Sequence, residues 1–379
     1  MKTDRLHIVS FDIPYPADYG GAIDVYYKLV ALHEAGIRVV MHCTYKGELK
    51  HYRELESLCE KVYYYRRDMS VINQFSSLPY AVKGRINEQL LANISADNDP
   101  VIFEGLVSCY YINHPALKNK VIVFRECNVE HDYYRALSKA STSITNKVYY
   151  RLEAVKLKRF EPVIQHADCV LAVSHQDEEH YELTYPHLPT YYLPSFHQYN
   201  EVVSKTGRGN YVLYHGNLSL AENIKAAKYI CEQVVPLLPD VKFVFAGRQP
   251  ANAVRQLVEQ LPNASLVANP SDKEMNDLVQ NAQVNFLVTH QPTGLKLKLL
   301  NVLYAGRFVL TNSLLTHGTE LAQLCIEANT PTEQAEQLKL LMQTDFDEMT
   351  IARRKQLLSL TFDNKHHCRQ LLQIIDDLR

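Results

Sequence analysis

Short apolar runs recur from one end of the chain to the other, each bounded by polar residues and most followed by a stretch long enough to form a helix. In the first half they fall at 6–11, 38–43, 61–65, 101–103, 121–124, 169–174 and 191–193. In the second half they fall at 211–214, 241–246, 265–268, 284–288, 308–311 and 325–328. Near-continuous apolar runs are what strands covered on both faces look like, and the intervening helices are the crossovers that parallel strands require. A polar stretch, 194–210, interrupts the series before it restarts. The pattern therefore predicts an α/β chain of two Rossmann-like domains with parallel sheets, one over 1–200 and one over 205–355.

A length of 379 residues fits about two such domains, and 46% hydrophobic content is enough to fill their cores. The net charge of −2 argues against a nucleic-acid binder. Eight cysteines are scattered with no CxxC pair, which argues against a zinc ribbon or a redox motif and for reduced thiols in a cytoplasmic protein. The opening Met-Lys-Thr-Asp-Arg runs directly into a strand, so no signal peptide is expected. No apolar run is long enough to span a bilayer.

Chemistry concentrates at the strand ends. After the 284–288 strand come a polar loop, Gly294 and a Leu-rich helix closed by Gly306. Lys296 and Lys298 occupy its first turn, where the partial positive charge of a helix N-terminus disfavours cations by about 0.3–1 kcal/mol each. With free backbone N–H groups and a glycine, two such lysines make an anion site; the alternative is that both snorkel to water. Asn301 shares the helix face of Lys298 and Gly294. His215-Gly216-Asn217 and Gly247-Arg248 end two further strands. Arg248 either grips a phosphate or pairs with an acid, and His215 is either a ligand or a core residue. In the first half, Gly20-Gly21 separates strand from helix, either to admit a ligand closely or to make a tight turn. It is not GxGxxG. Arg125, Glu126, Cys127, Asn128, Glu130 and His131 crowd the end of the 121–124 strand, the place where ligands bind in open α/β sheets. The helical stretch 143–165 interleaves Lys147, Arg151, Lys156, Lys158 and Arg159 with Tyr149 and Tyr150. It reads either as a peripheral membrane contact or as a solvated face whose charge Glu153 and Glu161 balance.

Several of these segments resemble one family. Tyr214-His-Gly-Asn-Leu-Ser-Leu-Ala-Glu-Asn-Ile-Lys-Ala-Ala227 and Phe245-Ala-Gly-Arg248 look like the start of the donor domain of retaining glycosyltransferases of the GT-B fold, and more narrowly are similar to family 4. Gly294-Leu-Lys-Leu-Lys-Leu-Leu-Asn-Val-Leu-Tyr-Ala-Gly306 resembles that family's motif of two glutamates around a helix start. Arg125-Glu-Cys-Asn-Val-Glu-His131 resembles its Arg-x-His-Asn-x-Glu-His stretch, and Asp168-Cys-Val-Leu-Ala-Val-Ser174 its last N-domain strand. Thr293 and Asn301 stand where the glutamates would be, and Cys127 where a histidine faces the donor sugar.

The resemblance implies two domains facing a cleft, the first completed by a C-terminal helix over 364–379. It implies an NDP-sugar donor held mainly by the second domain, through Gly216, Asn217, Thr293, Gly294, Lys296 and Asn301. The candidate catalytic residues are Lys298, Arg248, Cys127 and His131, with the lysines stabilising the diphosphate leaving group. A glycan, lipid-linked or small-molecule acceptor is expected against Gly20, Gly21 and the 125–131 segment, where Glu130 and His131 either position its hydroxyl or form a helix-start network. Transfer with retention is implied. Neither a cofactor nor a metal ion is expected, the lysines and the helix start supplying the positive charge a metal would. A UDP-sugar 2-epimerase-like enzyme and a non-catalytic nucleotide-sugar or partner-binding module are the alternatives.

Overall fold

The computed structural model describes residues 2–141, 143–290 and 297–379. Seven parallel strands form the first sheet: β1 Arg5–Ser10, β2 Arg38–Tyr45, β3 Lys61–Arg66, β4 Val101–Glu104, β5 Ile122–Arg125, β6 Cys169–Ala172 and β7 Thr190–Tyr192, in the order β3-β2-β1-β4-β5-β6-β7. Six form the second: β8 Val212–Asn217, β9 Phe243–Arg248, β10 Ala264–Ala268, β11 Val284–Leu287, β12 Phe308–Thr311 and β13 Ile326–Glu327, in the order β10-β9-β8-β11-β12-β13. Each sheet starts at a central strand, winds to one edge, then returns to the centre and winds the other way. The reversals fall between β1 and β4 and between β8 and β11, and at such switch points the loops beyond the carboxyl ends part to leave a crevice.

Described residues up to Gln198 and those of Phe362–Arg379 make one compact unit; those from Tyr199 to Thr361 make the other. The stretch read as a linker is bonded throughout. The Phe196 N–H donates to Asp24 at 2.7 Å, Ser204 Oγ donates to the Gly306 carbonyl at 2.7 Å, and Gly207 pairs with Phe346. The helix Asn364–Asp377 buries Cys368, Leu371, Ile374 and Ile375 in the core of the first unit, beside Leu29 and Leu32 of the helix Gly20–Glu34. That spacing of three and four puts all four on one face.

Two elements differ from the sequence reading. Residues 130–140, to which the sequence reading assigned no element, form a helix, and the long helix after it is Ile144–Phe160, converting to a 3-10 turn over Glu161–His166. Pro162 sits at the start of that turn, where its missing N–H ends the α-helical ladder. Arg125 also departs from expectation. It belongs to β5 and is fully buried. Its guanidinium reaches Asp24 at 3.2 Å and donates to the Leu193 and Pro194 carbonyls. Lys28 donates to Glu104 at 2.6 Å and to Asp24 at 3.4 Å. Two acids and two bases thus neutralise one another inside the unit and tie the first helix to β4, β5 and the exit strand.

Candidate functional site

In the second unit the carboxyl end of β8 meets the helices that begin at Ala221 and Leu297. Lys298 is half-buried there. Its ammonium donates to Asn223 Oδ1 at 3.3 Å and lies 4.9 Å from the centroid of the Tyr214 ring. A methyl group on Gly216 would sit 2.9 Å from that ammonium and 3.1 Å from the Asn223 amide carbon, so a side chain there would displace the lysine tip. Among the described residues no carboxylate lies within ion-pair distance of Lys298. Burial pushes it down to about 8 against the weaker pull of Glu222, which is engaged by the Thr289 hydroxyl. His215, 5% exposed, is brought down to about 3 by burial and by the Lys298 charge, so it is a neutral imidazole; its Nε2 has no partner among the described residues.

The other second-unit candidates have separate neighbours. Asn217 turns its side chain onto its own loop, accepting from the Ser219 N–H at 3.1 Å and hydroxyl at 2.7 Å, while its carbonyl accepts from Asn223. The short side chain satisfies the turn. Asn301 accepts a short hydrogen bond from the Tyr199 hydroxyl, and Tyr199 stacks on Tyr304. Arg248 ends β9 on the surface, 3.6 Å from Asp272. Thr293, Gly294 and Lys296 lie outside the described residues.

In the first unit the expected 125–131 cluster is taken apart. Cys127 is 6% exposed, and burial together with Glu104, Asp24 and Glu126 raises its thiol well above the usual range, so it stays protonated. His131 is buried, with Nδ1 2.9 Å from Glu161 Oε2; Tyr185 donates to the other oxygen at 3.0 Å. Burial alone would raise Glu161, but the His131 hydrogen bond, the His180 ring 3.8 Å away and the Tyr185 hydroxyl outweigh it and hold it at about 2. His131 is therefore an anchor between two helices. Gly20 and Gly21 lie in the first turn of the 20–34 helix, and a methyl group on Gly21 would meet the Phe11 ring at 2.6 Å. Packing against Phe11 accounts for that glycine without a ligand.

Glu130 remains. It is partly exposed, takes no hydrogen bond from any described residue, and is pushed up to about 7 by burial against the opposing charge of Arg85. Arg85 itself is held by the Phe11 carbonyl at 2.7 Å, where β1 ends, and Tyr19 and Tyr134 share the same electrostatic surroundings. Sequence reading passed over Arg85, Tyr214 and Asn223. Only the position of Asn223 at the start of a helix after a strand-end glycine hinted at its place. His7, Asp97 and Asp99 are spaced to hold a metal ion, but Arg5 donates to both carboxylates at 2.7 and 2.6 Å, and Lys120 to Asp97 at 2.7 Å. Those acids already have their counter-ions.

Two doubly wound parallel sheets of this order define the GT-B architecture. Solved structures with it include Anabaena HepE in complex with UDP and glucose (TM-score 0.64, 10% identity, 99% of each chain covered). They also include a mutant of S. aureus TarM with Fondaparinux, alpha-GlcNAc-glycerol and UDP (TM-score 0.64, 9% identity, 99% of this chain and 100% of that one). Residues 209–344, within the second unit, match the family model described as glycosyl transferases group 1. The chain is also 28% identical over 336 residues to an uncharacterized 44.6 kDa protein in the cps region of Klebsiella pneumoniae, covering 83% of this chain and 84% of that protein. No helix among the described residues is long and apolar enough to cross a membrane.

Proposed function

We propose that this chain transfers a sugar from a nucleoside diphosphate sugar to a glycan, lipid-linked or small-molecule acceptor, with retention and without a metal ion or other cofactor. The observation that carries the reading is Lys298, a cation at the carboxyl edge of β8 with no carboxylate in ion-pair range among the described residues and a pKa lowered to about 8. Such a group is stabilised by a bound anion. As the bond between the anomeric carbon and the phosphate oxygen breaks, negative charge grows on the diphosphate. Lys298, with Arg248, Lys296 and the start of the Leu297 helix, stabilises it there. The departing phosphate oxygen takes the proton of the acceptor hydroxyl, so no strong base is needed. Glu130 orients the acceptor by accepting a hydrogen bond from another of its hydroxyl groups, the ionised carboxylate being the better acceptor. Support for a uridine nucleotide comes from HepE, which is solved with UDP and with UDP-glucose, and support for a polysaccharide acceptor from the cps-region relative.

The test is isothermal titration of the full chain with UDP, GDP and UDP-glucose. It is followed by a search for acceptor-dependent release of UDP. Absence of any nucleotide binding would defeat the proposal; binding followed by sugar conversion without an acceptor would point to an epimerase.

A further inference from the structure

One face of the first unit is apolar and cationic at once. On the helix Ile144–Phe160, Ile144, Val148, Leu152 and Val155 follow one another at steps of four, four and three, and are 78, 54, 58 and 45% exposed. They form one stripe that no described residue covers. Lys147, Arg151 and Lys158 run along its flank, all exposed. The two acids that seemed to balance this helix do not reach the face. Glu153 is 2% exposed and accepts from Lys156 and the Tyr80 N–H; Glu161 is 3% exposed and is held by His131. The turn Val71–Phe75 lies alongside, joined through a hydrogen bond of 2.7 Å from Lys156 to the Gln74 carbonyl. It exposes Val71, Ile72 and Phe75 by 66, 77 and 87%. The nearest exposed acids are engaged: Asp68 accepts from the Ser70 N–H and Asp132 pairs with Arg135.

We propose that this face, the outer side of helix 144–160 with the 71–75 turn, docks on an anionic phospholipid bilayer. An apolar stripe flanked only by cations suits the boundary between headgroups and acyl chains. Protein interfaces, by contrast, are poor in lysine at their centres. Phe75 and Ile72 enter the bilayer surface, while Lys147, Arg151 and Lys158 meet lipid phosphates. The inference is independent of the sugar chemistry.

The experiment is co-sedimentation of the full chain with vesicles of phosphatidylcholine alone and of phosphatidylcholine mixed with phosphatidylglycerol. Binding is expected to the mixed vesicles only and to weaken with added salt. Each cation near the surface strengthens partitioning about fivefold, so replacing Lys147, Arg151 and Lys158 together by Gln should weaken it on the order of a hundredfold. Ile72→Asp with Phe75→Asp should abolish it, whereas Leu183→Asp, 75% exposed on another helix, should leave it unchanged. All these positions are exposed, so melting temperatures stay at the wild-type value. Failure of wild type to sediment with mixed vesicles, or equal sedimentation of every variant, overturns the proposal. A wild-type dimer dissolved by the same substitutions, without vesicle binding, would assign the face to a second copy and overturn it too.

Discussion

Lys298 donates to Asn223 across the end of β8, 75 residues away in sequence, with the Tyr214 ring beneath its ammonium. The interaction is weak for a cation so placed, which leaves the charge available to a ligand. Lys298→Met should lower nucleoside diphosphate affinity about tenfold to a hundredfold, since a charge-assisted hydrogen bond contributes about 1.5–3 kcal/mol. Without ligand the variant should melt no lower than wild type. The ammonium is disfavoured in the folded chain, so its cost is present at neutral pH and is relieved between about 8 and the ordinary 10.5, as the native lysine loses its proton before the unfolded one does. Wild type should gain stability relative to the variant across that window. Nucleotide affinity of wild type should fall above pH 8. Titration and melting of both proteins at pH 7 and 10 read all three effects.

Glu130 titrates at about 7, above the ordinary carboxyl value of 4.5. A raised carboxyl contributes stability below 4.5 that is lost as pH rises through 7. Glu130→Gln should therefore remove that loss and melt at or above wild type at pH 8. If the carboxylate orients the acceptor, kcat/KM should rise through pH 7 in wild type and stay flat and low in the variant, by about ten- to a thousandfold. A variant with the wild-type pH profile would exclude the role.

Arg125→Met should be costly to the fold and silent toward nucleotide. It leaves Asp24 with the Phe196 N–H and the more distant Lys28 ammonium, and strips the donor from the Leu193 and Pro194 carbonyls. Breaking a buried pair this way costs about 3–5 kcal/mol. Urea denaturation followed by a probe in the first unit measures it. Lost nucleotide affinity in the still-folded variant would contradict the structural assignment.

Chelation is a separate test of the leaving-group chemistry. With Lys298 supplying the positive charge, EDTA should leave UDP binding and sugar transfer within about twofold of the untreated protein. Recovery only on adding Mg²⁺ or Mn²⁺ would show that a metal carries that charge.

Strands, their parallel sense and the two-unit division could be read from apolar runs alone, because a strand covered on both faces writes its burial into consecutive residues. Helix Glu130–Ala140 could not, since the one described residue it buries is His131 and its aliphatic residues are too few to write a period. Arg125 looked like a ligand-binding arginine because its partner, Asp24, is 101 residues distant. Gly21 looked like an opening for a ligand because the ring that fills the space belongs to Phe11 on the preceding strand. Lys298 stood out for the opposite reason: a cation at a helix start is locally unfavourable, and that much can be read from neighbouring residues alone.

The helix Asn364–Asp377 closes the core of a unit whose other members end at Gln198. On the ribosome, residues 199–361 must be made between the two. At about 5–20 residues per second, that interval lasts roughly ten to thirty seconds. Throughout it the flank of helix 20–34 waits without its cover. The second unit holds its strands in one uninterrupted segment and can close first, so the part of the chain made earliest is the part finished last.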